Sequence, residues 1–184
     1  MAVQLDTSAF PIYLFAFEEM NNHQYIQDNP SEHFDVSLWT GNGSTQNITG
    51  LNFQPDMTWI KERNSTSGHV WIDALRGVDK VIRCNSTAVE STDDDCITAF
   101  NSDGFALEGG SGDDGSNGSG NNYVGFAWDA GSSTVTNNSG NISSSVRALP
   151  EAGFSIVKYT GNGSNGQTVG HGLGVAPVSI ILKN

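Results

Sequence analysis

The chain has 184 residues, including 22 glycines and only 5 prolines, and its 20 acidic residues outnumber its 8 basic ones, which gives a net charge of −12. A surface of that charge repels phosphate backbones, so we expect no binding to nucleic acid. The length allows one or two domains, each able to bury a core.

The residue pattern predicts an all-β protein. Glycine and small polar residues interrupt the chain about every ten residues, a spacing typical of short strands joined by turns in a sandwich or barrel. Few stretches are long enough and regular enough to favour a helix.

The first apolar run is "PIYLFAF" at residues 11–17. No lysine or arginine precedes this run, and Glu18 and Glu19 follow it, so it does not fit a secretory signal. It is also too short to span a bilayer, and we expect no membrane partner.

From residue 34 the sequence predicts a strand, a tight turn and a returning strand. Phe34, Val36 and Leu38 alternate with polar residues, which is the period-2 pattern of a half-buried strand. The following "TGNG" supplies the asparagine and glycines that turns with positive φ require. The sequence "MTWIKE", shortly after Pro55, predicts the returning strand.

A second copy of this pattern begins at Phe154. "WTGNGS" at residues 39–44 returns as "YTGNGS" at residues 159–164, an offset of 120, and beyond the turn the offset is 122, so that Pro55 aligns with Pro177. A strand, a Gly-Asn-Gly turn, a Gly-Leu pair, a proline and a second strand in the same order indicate an internal repeat.

Between the two copies, further strands are predicted at "HVWID", "KVIRC", "CITAF", "GFALE", "NYVGFAW" and "SSVRA". Residues 123–128 are apolar on both faces and predict a central strand. A polar Gly-rich loop precedes them, and "DAGSSTVTNNSGNISSS" after them is interpreted as a linker with a short strand. These elements define an N-terminal segment at 1–33, a first β-sandwich at 34–150 and the beginning of a second copy at 153–184.

Two strands alone are not stable in water. The second copy is therefore expected either to complete the sheets of the first domain or to continue beyond residue 184 in a longer protein. We favour the longer protein because the sequence stops inside the matched repeat.

The two cysteines, Cys84 and Cys96, flank a polar loop between "KVIRC" and "CITAF". A cross-strand disulfide is geometrically possible if their Cα atoms approach within about 7 Å. The alternative is two free thiols in a protein folded under reducing conditions. Their spacing matches no zinc-binding pattern.

No group of residues indicates catalysis or a metal site. The G-x-G-x-x-G matches "GSGDDG" and "GNGSNG" are not followed by a helical pattern, so they do not predict a dinucleotide site. "GGSGDDGSN" at residues 109–117 resembles one copy of a calcium-binding nonapeptide, but such sites need stacked copies. Calcium at Asp113 or Asp114 stays open, with a solvated loop as the simpler interpretation. We predict no enzyme, no cofactor and no metal.

The aromatic residues allow a binding hypothesis. Trp39 and Tyr159 occupy equivalent places beside the repeated turn, where an exposed ring could stack on a sugar and a buried ring would fix the shape of the turn. Trp59 and Trp128 lie in apolar strands and are expected in the core.

The stretches "FDVSLWTGNG", "GLNFQPDMTWIKERN", "DALRGVDK", "TAFNSDGFAL" and "GFSIVKYTGNG" resemble a tandem β-domain family. That family is common in structural proteins of marine tailed phages, including cyanophage-like ones. The resemblance covers residues 34–184. It implies an antiparallel jelly-roll sandwich of the concanavalin-like or laminin-G-like type, and it carries no catalytic residues.

The resemblance also implies a setting and a function. We expect a non-enzymatic protein of the virion surface, made in the host cytoplasm and released by lysis, that serves as a capsid decoration or knob or as a fibre-like appendage. Its expected partners are other virion proteins and further copies of itself. The alternative is a glycan-binding receptor-recognition module of a tail fibre, with Trp39 and Tyr159 as the contacts to host-surface glycan. A polysaccharide-degrading enzyme ranks last, because no pair of carboxylates is singled out.

In that setting the N-terminal segment is interpreted as an attachment arm that lays an apolar strand onto a capsid or tail protein. The alternative is an extra edge strand of the first sandwich. The candidate attachment residues are Pro11, Ile12, Tyr13, Leu14, Phe15 and Phe17.

Overall fold

The computed structural model describes residues 30–93, 95–109 and 115–184, together with the backbone course of residues 2–5 and 11–18. These residues form antiparallel sheets with no α-helix among them, which confirms the all-β prediction. Two short 3₁₀ helices, Pro30–Glu32 and Pro150–Ala152, each lead into a repeat strand.

The strands follow one another as β1 (Ala2–Leu5), β2 (Pro11–Glu18), β3 (Phe34–Thr40), β4 (Gln46–Thr49), β5 (Met57–Glu62), β6 (His69–Asp73), β7 (Gly77–Arg83), β8 (Ser91–Thr92), β9 (Ile97–Asn101), β10 (Gly104–Leu107), β11 (Asn122–Trp128), β12 (Thr134–Asn137), β13 (Ser144–Leu149), β14 (Phe154–Thr160), β15 (Gln167–Gly170) and β16 (Pro177–Lys183).

The chain divides into two compact units. The first, which we call the middle unit, is Pro30–Asp129. The second, which we call the terminal unit, contains β1 and β2 together with Ala130–Asn184.

The middle unit is a sandwich of two sheets. One sheet has the order β3-β11-β5-β6-β7-β8 and the other β4-β10-β9. Strand alternation turns one face of each sheet inward, and side chains from both sheets meet in one core. The buried core residues are Trp39, Ile48, Ile60, Val70, Ile72, Val81, Cys96, Ile97, Phe105, Leu107 and Tyr123.

The predicted central strand is confirmed in the middle unit. β11 pairs with β3 on one side and with β5 on the other, so that Tyr123 lies between Trp39 and Glu62. Both edges of this strand are hydrogen-bonded and both of its faces are covered at least in part. An interior strand of this kind favours apolar residues on both faces, as the sequence of β11 has.

The terminal unit contains a five-stranded sheet with the order β12-β13-β14-β2-β16, and a separate pair of strands, β1 and β15. Ile142, which precedes β13, shares a core with residues of β13, β14 and β15, namely Val146, Val157, Tyr159 and Val169.

The observed grouping differs from the predicted first domain at 34–150. β13 pairs along its whole length with β14, from Ser144 opposite Tyr159 to Leu149 opposite Phe154. β12 in turn pairs with β13, so the stretch interpreted as a linker is the first hairpin of the terminal unit. The 3₁₀ turn at Pro150–Ala152 joins the paired strands β13 and β14 and does not separate two domains.

A buried ion pair holds the turn between β6 and β7. The Arg76 guanidinium donates to the Asp73 carboxylate at 2.6 Å, and the two side chains are only 1% and 0% exposed. Arg76 also donates to the backbone carbonyls of Trp71 at 3.0 Å and Lys80 at 3.2 Å. It also pairs with the Glu90 carboxylate at 3.2 Å, so one arginine bonds to the backbone carbonyls of two neighbouring strands and to two carboxylates of the unit.

Replacement of Arg76 by alanine is expected to lower the free energy of unfolding of the middle unit by about 3–5 kcal/mol, because it leaves the Asp73 carboxylate buried without a partner charge. The 4 tryptophans of the chain all lie in this unit, so denaturation followed by tryptophan fluorescence reports on it. Arg63→Ala, at an exposed side chain, is the matched control and should change stability by less than about 0.5 kcal/mol. Equal, small losses for both variants would contradict this role of Arg76.

Candidate functional site

The repeated sequence "TGNGS" forms the same turn in both units. The Asn42 side-chain oxygen accepts a hydrogen bond from the backbone N–H of Ser44 at 2.8 Å, and Asn162 accepts the equivalent bond from Ser164 at 3.0 Å. The glycine between them has φ of 71° in the first copy and 74° in the second. A left-handed residue of this kind favours glycine, so the repeat is explained by the geometry of the turn.

Trp39, the first predicted glycan contact, is a core residue with 8% exposure. Its ring stacks on Tyr123 with the ring centroids 5.5 Å apart, and its indole N–H donates to the carbonyl of Ser116 at 2.9 Å. Its ring also lies against Gly125, where an added Cβ would approach within 2.9 Å of a ring carbon. Neighbours therefore occupy the surfaces that a sugar would need.

Tyr159, the second predicted contact, is 3% exposed and belongs to the core of the terminal unit. Burial raises the pKa of its phenol to about 12. The structure therefore contradicts the prediction that Trp39 and Tyr159 present their rings to a glycan. Trp39 is instead buried next to the turn.

The predicted attachment residues lie in β2, whose backbone the structure describes. β2 pairs with β14 on one side and with β16 on the other, so it is an interior strand of the terminal unit. The alternative of an extra edge strand on the first sandwich is wrong, because no pairing joins β2 to a strand of the middle unit among the described residues. Attachment stays a prediction, since these side chains lie outside what the structure describes: Pro11, Ile12, Tyr13, Leu14, Phe15 and Phe17.

The two cysteines are free thiols, which agrees with the alternative that the sequence left open, and they form no disulfide. Cys84 follows β7 in the six-stranded sheet, whereas Cys96 is fully buried immediately before β9 in the facing sheet. Burial raises the pKa of Cys84 to about 11, so this thiol is protonated and a weak nucleophile at neutral pH.

Nowhere in the described ranges do three or more His, Cys, Asp or Glu side chains group as metal ligands would. The candidate calcium ligands Asp113 and Asp114 lie outside these ranges. Among the residues that the structure describes, no helix has the length and apolar character needed to cross a membrane.

The outer face of the six-stranded sheet carries a row of rings, which we call the aromatic band: Phe34, Trp59, His69, Trp71, Phe126 and Trp128. Register places Trp128 opposite Phe34 and Phe126 opposite Trp59. The ring centroids are 5.1 Å apart in the first pair and 6.1 Å apart in the second, and Trp59 lies 5.5 Å from Trp71. These distances are typical of packed aromatic pairs.

The expectation that Trp59 and Trp128 belong to the core needs correction. Both are half-buried and face outward, because their neighbours Ile60 and Ala127 take the buried positions on the opposite face. A strand that is apolar on both faces gives no alternation from which the inward side could be read.

Trp59 is held in the aromatic band by His69. Its indole N–H donates to His69 Nδ1 at 2.9 Å, which requires that nitrogen to be unprotonated. Burial, with the positive charge of Lys61 as a smaller cause, lowers the pKa of His69 below its ordinary value. The neutral imidazole that accepts this bond is thus the favoured form.

Beside the aromatic band, β3 exposes three apolar side chains, which we call the apolar edge. Phe34, Val36 and Leu38 are 39%, 42% and 64% exposed. They alternate with inward-facing residues and so lie in line on one face. Such a contiguous exposed apolar row on a polar, acidic chain is typical of a surface that contacts another molecule.

The terminal unit carries a polar pocket of about 280 Å³ on the β12-β13-β14 surface. Register places Thr136, Ser145 and Lys158 side by side across the three strands. The pocket is also lined by Ser143, Ser144, Tyr159 and Thr160. The lining is rich in hydroxyl groups and contains one ammonium group, and neither chemistry was singled out in the sequence, because small polar residues are common throughout the chain.

A family model matches residues 29–184, and its description is a domain of unknown function, DUF7483. Since the match covers most of the chain, the chain belongs to this family. No curated protein and no solved structure matches the chain.

Trp39→Ala is expected to lower the free energy of unfolding of the middle unit by about 3–5 kcal/mol, because it opens a cavity in the core. Leu38→Ala, one residue away on the exposed face, is the matched control and should cost less than about 0.5 kcal/mol. Tryptophan fluorescence during denaturation measures both. A Trp39 variant as stable as the control would show that the ring is not a core residue.

Acid is expected to destabilise the middle unit through His69. Because its pKa in the folded state lies below the ordinary value of 6.5, the unfolded chain binds the proton more readily, and stability is lost as the pH falls below 6.5. The measurement is the denaturation midpoint between about pH 7 and pH 5, where histidine titrates. The midpoint of His69→Gln should fall less on acidification than that of the unchanged chain. Equal falls in both proteins would show that protonation of His69 does not cause the loss of stability.

Proposed function

We propose that this member of the family is a non-enzymatic protein of a phage virion surface, either a capsid decoration or knob or a fibre-like appendage built from repeated β-sandwich units. The resemblance of its repeated stretches to virion structural proteins supports the setting. The identical Asn-Gly turn in both units supports a modular architecture in which one structural unit is used more than once.

The observation that carries the proposal is the apolar edge of the middle unit. A structural virion protein must contact other virion proteins, and exposed apolar rows of this kind are typical of protein contacts. The apolar edge supplies such a row, and the half-buried rings of Trp59, Phe126 and Trp128 continue it across the sheet. The partners proposed for this face are capsid or tail proteins, or further copies of the chain.

The test is antibody labelling of intact particles of the phage that encodes this chain. An antibody against residues 30–129 is imaged by electron microscopy. Label spread over the capsid supports a decoration or knob, and label confined to the tail supports a fibre-like appendage. Chain found only in the soluble lysate, with unlabelled particles, would contradict a virion location.

A double substitution tests the role of the apolar edge. Val36→Ser with Leu38→Ser should reduce incorporation into particles at least about tenfold if the lost contact is worth 1.4 kcal/mol or more. Val89→Ser is the matched control, because Val89 is exposed but lies outside the apolar edge. Equal incorporation of both variants would show that attachment uses another surface.

The second candidate function is recognition of host-surface glycan, and the polar pocket of the terminal unit favours it. Hydroxyl groups donate and accept hydrogen bonds and an ammonium group donates them, which suits the oxygens of a sugar. Its volume of about 280 Å³ is at the low end for a ligand site, so the ligand portion held there is small.

Glycan-array binding compares the unchanged chain with Lys158→Ala and with Lys80→Ala as the control outside the pocket. Loss of binding for Lys158→Ala alone supports the second candidate. If the unchanged chain binds no glycan, the second candidate function is excluded. Release of reducing sugar from any array glycan would contradict the non-enzymatic part of the first proposal.

A further inference from the structure

In the middle unit, β3 and β5 are the two strands of the first repeat copy, and a third strand lies between them in the sheet. β11 lies between β3 and β5 and pairs antiparallel with each. Its residue Val124 is opposite Leu38 of β3 and Lys61 of β5. The first copy of the repeat thus provides the two outer strands of the triplet, and a later segment provides the strand between them.

The terminal unit contains the same triplet in the same register. β14 and β16, the strands of the second copy, flank β2, and Tyr13 of β2 is opposite Lys158 and Lys183. The repeat aligns Leu38 with Lys158 at the offset of 120 and Lys61 with Lys183 at the offset of 122. Tyr13 therefore occupies the register position that Val124 occupies in the middle unit.

The sequences of the two inserted strands agree with this equivalence. "NYVGFAWD" at residues 122–129 aligns with "PIYLFAFE" at residues 11–18. Both contain Phe-Ala, then an aromatic residue, then an acidic residue, at the same distance from the equivalent positions Val124 and Tyr13. β2 is thus a β11-type strand in sequence as well as in register.

The two inserted strands differ in how the chain joins them to their sheets. β11 lies in the same unit as β3 and β5, whereas β2 precedes the entire middle unit and is separated by it from β12, β13, β14, β15 and β16 of the terminal unit. Residues 29–184, which the family match covers, include β14 and β16 but not β2. No short connection joins β2 to β14 or β16. Its place in the sheet therefore depends on backbone pairing with these two strands.

We propose that the place between β14 and β16 is a strand-acceptor site, and that β2 of a second copy of this chain fills it, so that copies exchange their N-terminal strands. The same register and backbone hydrogen bonds form whether β2 comes from its own chain or from another. The equilibrium between the closed single chain and the exchanged copies therefore depends on the effective concentration of β2 within one chain. Addition of a strand from another chain is an established mode of protein association. Because each copy gives one strand and accepts one, exchange closes into a dimer or ring or continues as an open chain of copies.

The exchange does not depend on the virion proposal. It concerns only how copies associate, and it applies equally if the protein has another location. It also differs from contact through the apolar edge, since the acceptor site lies in the terminal unit.

Cysteine trapping tests the exchange. One chain carries Tyr13→Cys and a size tag, and a second, untagged chain carries Lys158→Cys. Both carry Cys84→Ala, while the fully buried Cys96 is retained. Facing residues of antiparallel strands have Cα atoms about 4.5–5.5 Å apart, within the range of a disulfide. The two chains are unfolded together, refolded as a mixture at increasing concentration, oxidised and separated on a non-reducing gel.

The proposal predicts a covalent product of one tagged and one untagged chain, in an amount that rises with concentration. Tyr13→Cys mixed with Ser145→Cys is the matched control and should give none, because β13 lies two strands from β2, about 10 Å away. Tyr13→Cys mixed with Lys183→Cys repeats the test on the β16 side, in case the Lys158 variant folds poorly.

A single chain that carries both Tyr13→Cys and Lys158→Cys decides the remaining cases. If it closes an internal disulfide while the mixture gives no joint product at any concentration, β2 stays in its own chain and the exchange is overturned. If neither the single chain nor the mixture forms a disulfide, β2 does not lie beside β14, and the acceptor site itself is overturned.

Discussion

Backbone hydrogen bonding on both sides of one interior strand organises each unit of this protein. In the middle unit that strand is β11, and in the terminal unit it is β2, each flanked by the two strands of one repeat copy. Such a strand fixes the register of both neighbours, and a one-residue slip would turn every side chain to the opposite face. Burial of Trp39 and Tyr159, and exposure of Leu38 and Lys158, follow from these two registers.

The two units share this framework but present different outer faces. The equivalent outward positions of β3 and β14 carry Leu38 in the middle unit and Lys158 in the terminal unit. The middle unit therefore offers aromatic and apolar side chains, which suit contact with proteins, while the pocket of the terminal unit is lined by hydroxyl groups and the Lys158 ammonium group, which suit a small polar ligand. One repeated backbone thus supports two chemically distinct surfaces.

Local sequence patterns were sufficient to predict much of the fold. Short apolar runs and turn residues located nearly every strand between residues 34 and 160, and "NYVGFAW" correctly indicated an interior strand. Pairing between strands distant in the chain was missed, although the match between "FAWD" and "FAFE" was a signal that could have revealed it. The sequence left open a disulfide between Cys84 and Cys96 for a similar reason, because it did not show that β7 and β9 belong to different sheets. Trp59 and Trp128 were assigned to the wrong face because their neighbours are apolar too.

Amide hydrogen exchange measures whether β2 is the interior strand of the terminal unit. An interior strand has its N–H groups hydrogen-bonded to neighbours on both sides, so we expect residues 12–18 to exchange as slowly as residues 154–160 of β14. Rapid exchange throughout residues 12–18, together with slow exchange in β14, would contradict it.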